Sequence, residues 1–155
     1  MQERANKRGG DMLKVMFLCT GNSCRSQMAE GFARELGKGI IEACSAGLTP
    51  TGTVHPRAIA VMKEVGIDIS GQKSKEIDAE LLNKMDVVIT VCGNAEESCP
   101  WIPTEIKRIH WPIKDPVGAT GTEEEMMNEF RRARDEIKER IVKFIEEVKD
   151  VQEIF

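Results

Sequence analysis

Several classes of protein are excluded by what the sequence lacks. None of its 155 residues is a tyrosine, and aromatic residues make up only 5% of the chain. No apolar run approaches the ~20 residues that a membrane-spanning helix needs. The first residues are polar and basic, so they have no apolar core of a secretion signal. The net charge of −4 gives no support for a nucleic-acid-binding or membrane-binding surface. Since a membrane span and a secretion signal are both missing, a cytoplasmic protein is predicted.

The cysteines do not form a structural disulfide pattern. Their number is odd, and a secretion signal is missing, so a disulfide framework is not expected. They stand at Cys19, Cys24, Cys44, Cys92 and Cys99. No short C-x2-C pair indicates a zinc site, and we predict no metal. The length predicts a single domain over residues 12–155, with residues 1–11 as a disordered extension.

Four segments have the composition of buried strands. Residues 13–19 (LKVMFLC) and 86–92 (DVVITVC) are nearly continuous apolar runs, and residues 40–44 and 106–110 are weaker candidates. Helical patterns alternate with these segments, which predicts an α/β fold with a four-stranded parallel sheet flanked by helices. In such folds ligands bind beyond the carboxyl ends of strands. Cys19 and Cys92 both stand at predicted carboxyl ends, so they can meet at one site.

Helix boundaries are marked by caps and stops. The first helix carries Met28, Phe32 and Leu36 at helical spacing, and the second begins at Pro56 with His55 as its cap. A short third helix follows Asp78. The last helix begins with a capping box and continues as one apolar stripe through residues 126–148.

Residues 19–26 (CTGNSCRS) carry the clearest chemical signal. A loop between a strand and a helix has the length to wrap around a tetrahedral anion, and the helix adds its positive N-terminal end. Gly21 and Asn22 tolerate left-handed conformations that turn amide hydrogens inward. We therefore define residues 20–25 as the oxyanion loop. Its predicted anion-binding residues are Thr20, Gly21, Asn22, Ser23, Cys24 and Arg25.

Three side chains of this segment have predicted catalytic roles. Arg25 can hold two oxygens of the anion in a bidentate fork, which a lysine cannot. The field of the loop favours a thiolate at Cys19, and the Ser26 hydroxyl can hydrogen-bond that thiolate. The alternative is a buried cysteine at a strand end beside a surface arginine, but the glycine, strand and helix around the motif disfavour it.

Cys92 and Cys99 permit two interpretations. Residues 92–100 (CGNAEESCP) contain turn-forming residues, so the segment can be remodelled to join the two thiols. Thiol–disulfide exchange could then pass oxidation from one cysteine to the next. On spacing alone, two unrelated cysteines, one in the core and one on the surface, explain the pattern better.

A family resemblance changes this balance. Residues 19–31 (CTGNSCRSQMAEG) resemble the active-site segment of thioredoxin-coupled arsenate reductases, which share the low-molecular-weight tyrosine phosphatase fold. The similarity extends from Val15 to Lys143 and includes the segments 45–47, 58–70, 87–100, 110–111, 115–116 and 121–125.

The resemblance implies a reaction and a role for each cysteine of the relay. Cys19 is the nucleophile, Cys92 attacks the arsenic adduct and releases arsenite, and Cys99 leaves a Cys92–Cys99 disulfide for thioredoxin. Asp115 matches the acid that assists the leaving oxygen. The implied function is arsenic detoxification with no bound cofactor, external thioredoxin as reductant and a weak phosphatase side activity.

The sequence departs from the family at a potassium site that some members have. Asn22, Glu30 and Ser45 match ligand positions, but Lys73 and Lys75 stand at the others. An ammonium group replaces or repels the ion, so we expect no potassium. Cys24 is interpreted as a small loop residue in preference to a trap for oxidised Cys19, and Cys44 has no assigned role.

Two other functions use the same loop. A tyrosine or small-ester phosphatase needs Cys19, Arg25 and Asp115 but neither Cys92 nor Cys99. Phosphatases of this fold commonly place tyrosines beside the acid-loop Asp-Pro, whereas Val117 and Gly118 follow Pro116 here. A redox sensor or anion-binding module without turnover is the second alternative.

Overall fold

The first strand is buried over most of its length. β1 (Leu13–Cys19) is fully buried from Val15 to Cys19, as its apolar composition predicts. The computed structural model describes residues 12–91 and 102–154. The predicted extension over residues 1–11 lies outside the described residues, as do Cys92 and Cys99.

The described residues form one parallel sheet of four strands. The other strands are β2 (Ile41–Gly47), β3 (Val87–Thr90) and β4 (Lys107–His110), and the spatial order is β2-β1-β3-β4. Every neighbouring pair is parallel. The predicted α/β class is therefore confirmed.

Within residues 12–91 and 102–154, four α-helices and a short 3-10 helix connect and cover the strands. They are α1 (Arg25–Leu36), α2 (Pro56–Glu64), α3 (Ala79–Asn83), the 3-10 helix (Pro116–Gly118) and α4 (Glu123–Ile154). The predicted caps are confirmed. His55 accepts a hydrogen bond from the Arg57 amide, and Asp78 caps α3. Thr122 and Glu125 bond each other's backbone amides, as a capping box requires.

Alternate residues of β1 face opposite sides of the sheet. Val15 and Phe17 pack in the larger core with α1, α2 and α4. Met16 and Leu18 pack in a smaller core with Leu82 of α3. Because both faces of the sheet are covered, its accessible part is the edge where the strands end.

Three predicted boundaries or positions differ from the structure. β2 continues through Ser45 to Gly47, because these small residues pair with the end of β1 although they lack an apolar pattern. β3 begins after Asp86, whose carboxylate accepts the Lys14 amide at 2.8 Å. Leu36 is 41% exposed, since it ends α1 beyond the region that packs on the sheet. Among the described residues, no helix is both long and apolar enough to cross a membrane.

Candidate active site

The candidate site lies at the carboxyl end of β1. β1 pairs with β2 on one side and with β3 on the other, and Cys19 stands opposite Gly47. At such a position the connections that follow two neighbouring strands leave towards opposite faces of the sheet. A crevice therefore opens at the ends of these strands. Residues 20–25 and the start of α1 fill the base of this crevice.

The carbonyl groups of the oxyanion loop point outward. Thr20 accepts from the Thr49 amide at 2.9 Å, Ser23 from the His55 amide at 2.8 Å and Cys24 from the Met28 amide at 2.9 Å. The two carbonyls between them, those of Gly21 and Asn22, accept from Ser74 and Gln27 side chains. In a trans peptide the N–H points opposite to the carbonyl. The amides of residues 21–25 therefore face the centre of the loop, as a tetrahedral anion requires.

Asn22 organises the loop from behind. It is fully buried and has a φ of 46°, in the left-handed region. The Lys75 amide donates to Asn22 Oδ1 at 2.9 Å, which fixes the orientation of the side-chain amide. Asn22 Nδ2 then donates to Ser26 Oγ at 2.8 Å and to Ser45 Oγ at 3.0 Å.

This orientation determines how Ser26 contacts the nucleophile candidate. Ser26 Oγ lies 2.9 Å from Cys19 Sγ. Because the serine oxygen already accepts from Asn22, its own proton is available to the sulfur. The pair is buried, so a thiolate at Cys19 would gain a hydrogen bond that competes little with water.

Two glycines lie in close contact with the elements around the loop. The sequence allows left-handed conformations at Gly21 and Asn22; Asn22 adopts one, and Gly21 does not. A Cβ at Gly21 would lie 3.2 Å from Thr51 Cγ2, a tight contact that a small shift of this exposed side chain relieves. Gly47 was missed by the sequence analysis. A Cβ at Gly47 would lie 2.8 Å from Asn22 Cβ and 2.9 Å from Thr20 O, so only glycine allows β2 to support the loop.

Arg25 and Asp115 are brought together from distant parts of the chain. Arg25 Nη1 donates to the Ile113 carbonyl at 2.9 Å, and Nη2 lies 3.6 Å from Asp115 Oδ2. Asp115 Oδ1 accepts the Val117 amide at 2.9 Å and so caps the 3-10 helix. One carboxylate oxygen is therefore fixed by the backbone, while the other faces the guanidinium at the mouth of the loop.

Comparison with known proteins decides the family. The sequence profile of the low molecular weight phosphotyrosine protein phosphatases matches residues 14–153. The chain belongs to this family.

Arsenate reductases are prominent among its relatives. One from Bacillus subtilis (strain 168) is 51% identical over 132 residues, which cover 85% of this chain and 94% of that protein. A solved arsenate reductase in the phosphate binding state has 44% identity and a TM-score of 0.73, covering 88% of this chain and 99% of that chain. A low molecular weight protein tyrosine phosphatase from T. tengcongensis has 30% identity and a TM-score of 0.74, covering 87% and 99%.

Within this phosphatase-family site, Glu30 anchors the buried end of the polar network. Its side chain is 2% exposed and accepts from Ser45 Oγ at 2.5 Å. Arg34 Nη2 lies 2.7 Å from the carboxylate, and Lys75 Nζ lies 3.8 Å from it. Lys75 Nζ also donates to the Lys73 carbonyl at 2.8 Å. This geometry does not suit a potassium ion, because the ammonium already lies beside the carboxylate; the absence of potassium stays a prediction.

The two other described cysteines are protected from ionisation. Burial, followed by the nearby Asp115 and Cys19, raises the pKa of Cys24 far above its usual range, despite the opposing charge of Arg25. Burial and the Glu30 carboxylate raise the pKa of Cys44 to about 11. Since the thiolate is the nucleophile, both groups are poor nucleophiles. This supports the interpretation of Cys24 as a small loop residue.

Gln27 is a supporting residue that the sequence analysis missed. It is fully buried at the start of α1. Gln72 Nε2 donates to Gln27 Oε1 at 2.8 Å, so Gln27 Nε2 is free to donate to the carbonyls of Asn22 and Lys73. The contact with Asn22 is local, but those with Gln72 and Lys73 join α1 to a segment far along the chain, which no local sequence pattern indicates.

The structure thus collects Cys19, Arg25, Ser26 and Asp115 around one loop. Cys92 and Cys99 lie outside the described residues, and their predicted roles stay predictions. Val91 follows β3 directly, and its amide bonds the Leu18 carbonyl at 2.9 Å. His110 ends β4 and lies 2.7 Å from Thr90 Oγ1 through Nδ1, a structural contact.

Proposed function

We propose that this protein reduces arsenate to arsenite with Cys19 as nucleophile and Cys92 and Cys99 as an internal dithiol relay. The observation that carries the proposal is the outward orientation of the loop carbonyls around Cys19. It leaves an amide-lined cradle for a tetrahedral anion directly above a buried sulfur. The arsenate reductase relatives support arsenate as the anion, since one is 51% identical over 85% of this chain.

The first step joins sulfur to arsenic. Arsenate enters the loop, and its oxygens accept hydrogen bonds from the backbone amides of residues 21–25 and from the Arg25 guanidinium. The Cys19 thiolate attacks arsenic, so an S–As bond forms and an As–O bond breaks. Asp115 gives its proton to the leaving oxygen, which departs as water. The Ser26 hydroxyl stabilises the thiolate before the attack.

The second step is the reduction. The Cys92 thiolate attacks the Cys19 sulfur, and the electron pair of the S–As bond stays on arsenic. Arsenic passes from the pentavalent to the trivalent state and leaves as arsenite, while a Cys19–Cys92 disulfide forms. Cys99 then attacks Cys92, which releases the Cys19 thiolate and leaves a Cys92–Cys99 disulfide.

The cycle ends with an external reductant. Thioredoxin, a dithiol protein, reduces the Cys92–Cys99 disulfide to two thiols, and its own dithiol becomes a disulfide. No resident cofactor is required. The proposal includes a cytoplasmic location, because the relay requires thiols that the compartment keeps reduced.

Phosphate-ester hydrolysis is the second candidate function. The family match to phosphotyrosine protein phosphatases favours it, and the reaction needs Cys19, Arg25 and Asp115 alone. Val117, beside the acid candidate, is 50% exposed, and it offers no aromatic surface for a phenyl ester. We therefore propose phosphatase activity only as a weak side reaction.

Single-turnover chemistry separates the two functions. Reduced wild type, Cys92→Ser and Cys99→Ser are mixed with arsenate, and released arsenite is measured with and without thioredoxin. Cys99→Ser should complete one round and then stop, whereas Cys92→Ser should release little arsenite. Both should hydrolyse a phosphate ester at the wild-type rate. Cys19→Ser should fail in both assays, since both begin with this thiolate.

Cys44→Ser is the matched control, because Cys44 lies on β2 with its sulfur near Met85 Sδ. It should retain full turnover. Sustained arsenate reduction by the Cys92→Ser,Cys99→Ser double variant, with thioredoxin as sole reductant, would overturn the relay and leave the phosphatase interpretation.

A further inference from the structure

Side chains contribute hydrogen bonds to the middle peptides of the oxyanion loop, whereas backbone amides hold the peptides on either side. The carbonyls of Thr20 and Ser23 accept from the backbone, and substitution does not remove such donors. The Gly21 carbonyl accepts from the Thr51 amide at 3.0 Å and also from Ser74 Oγ at 3.1 Å. The orientation of the Gly21–Asn22 peptide therefore depends in part on one hydroxyl group.

The backbone on either side of this peptide does little to prevent its rotation. Gly21 has no Cβ to restrict its backbone, and Asn22 is held in the left-handed region at a φ of 46°. In the observed orientation the Asn22 N–H faces the anion. A rotation of the peptide would place the Gly21 carbonyl oxygen there instead, and its partial negative charge would repel the anion.

Ser74 stands in a segment that is fixed on both sides. The Lys73 carbonyl accepts from Gln27 Nε2 at 2.9 Å, and the Lys75 amide donates to Asn22 Oδ1 at 2.9 Å. Ser74 Oγ also accepts from the Gly52 amide at 3.1 Å. The Ser74 hydroxyl therefore links the Gly21 carbonyl to the loop after β2. The same loop supplies the Thr51 amide, the second donor to that carbonyl.

We infer that Ser74 is a positioning residue that keeps the Asn22 amide directed at the bound oxyanion. The inference rests on the proposed function, since it concerns the same anion site. Loss of the hydroxyl leaves Gly21 O with one donor, the Thr51 amide. The loop that carries Thr51 also loses its hydrogen bond from the Gly52 amide to Ser74. The consequence is weaker anion binding without loss of the nucleophile.

The test compares wild type, Ser74→Ala, Ser74→Thr and Ser70→Ala. Ser70 is an exposed serine earlier in the same segment, and it bonds Asp68. Calorimetric titration gives the Kd for inorganic phosphate, and steady-state kinetics with thioredoxin as reductant give KM and kcat for arsenate. Ser74→Ala should raise Kd and KM about three- to tenfold, the effect of one hydrogen bond, with kcat changed less than about twofold. Ser74→Thr and Ser70→Ala should remain close to wild type.

A spectroscopic signal reports the positioning directly. In ¹H–¹⁵N spectra the Asn22 amide of the wild type should move downfield on phosphate addition, and in Ser74→Ala it should move less. Equal phosphate binding by wild type and Ser74→Ala would overturn the inference alone. So would a Ser74→Thr variant as weak as Ser74→Ala, or a lower Tm with unchanged Kd. Absence of phosphate binding by the wild type would overturn the anion-binding step of the proposed function together with this inference.

Discussion

The protein contains two polar networks that have similar side-chain types and differ in burial. The loop network comprises Asn22, Ser26, Glu30 and Ser45, all at most 2% exposed. The helix network joins α2 to α4 through Glu64, Arg131 and Arg134. There Glu64 is 38% exposed, and Arg131 lies 2.8 Å from it with 28% exposure. Each network carries a carboxylate held by two cationic side chains.

Burial gives the two networks different functions. In the loop network each donor has a matched acceptor, and among the described residues no buried side-chain nitrogen or oxygen lacks a partner. Removing one member leaves another unsatisfied, which costs ~1–3 kcal/mol. In the helix network water can replace a lost partner, and an exposed ion pair contributes at most about 1 kcal/mol. Geometry at the site therefore depends on the first network and little on the second.

Asn22→Ala should have the largest effect, since Asn22 makes three hydrogen bonds and holds a left-handed backbone. We expect a loss of ~2–4 kcal/mol in the free energy of unfolding, because the buried Lys75 amide and two serine hydroxyls lose partners. Arsenate kcat/KM should fall at least about a hundredfold as the amides lose their alignment. Urea denaturation and steady-state kinetics measure these two losses.

A near-native kcat/KM in Asn22→Ala would show that the loop keeps its shape without this network. Arg131→Ala is the comparison from the helix network. It should leave kcat/KM unchanged.

Gly47→Ala tests displacement of the loop network without removing any of its polar groups. The added Cβ would lie 2.8 Å from Asn22 Cβ, so the loop must shift. We expect a loss of ~1–3 kcal/mol in stability, as for overpacked cores, and a raised KM for arsenate. Gly71→Ala is the matched control, because no heavy atom lies within 4 Å of its added Cβ. Equal behaviour of the two variants would contradict the close contact between β2 and the loop.

Glu30→Gln compares the carboxylates of the two networks. The amide oxygen can still accept from Ser45, but the ion pair with Arg34 at 2.7 Å is lost. We expect a loss of ~1–3 kcal/mol in the free energy of unfolding and a rise in phosphate Kd, measured by urea denaturation and calorimetry. Glu35 lies on the same helix as Glu30 and forms an exposed pair with Lys38 beyond the helix end. Glu35→Gln should change neither quantity. If Glu30→Gln lost no more stability and phosphate affinity than Glu35→Gln, the buried ion pair of the loop network would contribute no more than an exposed surface pair.

Local spacing is sufficient to predict part of this site and fails for the rest. The strand, the C-x5-R-S motif and the start of α1 are contiguous, so their relation follows from the sequence. Ser74 and Gly47 support the loop through contacts between distant segments, and nothing near them in sequence indicates a partner. Gln27 contacts Asn22 locally, but its contacts with Gln72 and Lys73 are long-range. Gly47 shows the limit clearly, because its close contacts with Thr20 and Asn22 follow from the pairing of β2 with β1 and not from neighbouring residues.

The position of Asp115 shows a different limit. Asp115-Pro116 has the sequence of an ordinary turn, and the structure does use it as a cap for the 3-10 helix. Only the family resemblance indicated a second use. The structure adds the 3.6 Å approach to Arg25, which no spacing argument could supply across the intervening chain.

The smallest expected effect is that of Glu64→Gln, and its pH dependence sharpens the comparison with Glu30. Hydrogen bonds from Arg131, then Arg134, lower the pKa of Glu64 from its ordinary 4.5 to about 2. A lowered pKa in the folded state means that the unfolded chain binds the proton more readily. The stabilisation is therefore fully present above about pH 4.5 and is lost as the pH falls towards about 2. Because the side chain is 38% exposed, solvent screening limits the contribution to below about 1 kcal/mol.

Urea denaturation of wild type and Glu64→Gln at about pH 7 and about pH 3 tests this prediction. The difference in the free energy of unfolding should be small at the higher pH and smaller still at the lower one. Glu124 and Asp135 also contact the two arginines, so they compensate in part for the lost carboxylate. Arsenate kcat/KM at neutral pH should not change, since the helix network does not contact the loop carbonyls or Asn22 in the part of the chain that the structure describes. A difference that grows on acidification, or a rise in phosphate Kd as large as that of Glu30→Gln, would mean that the two networks are coupled through α4.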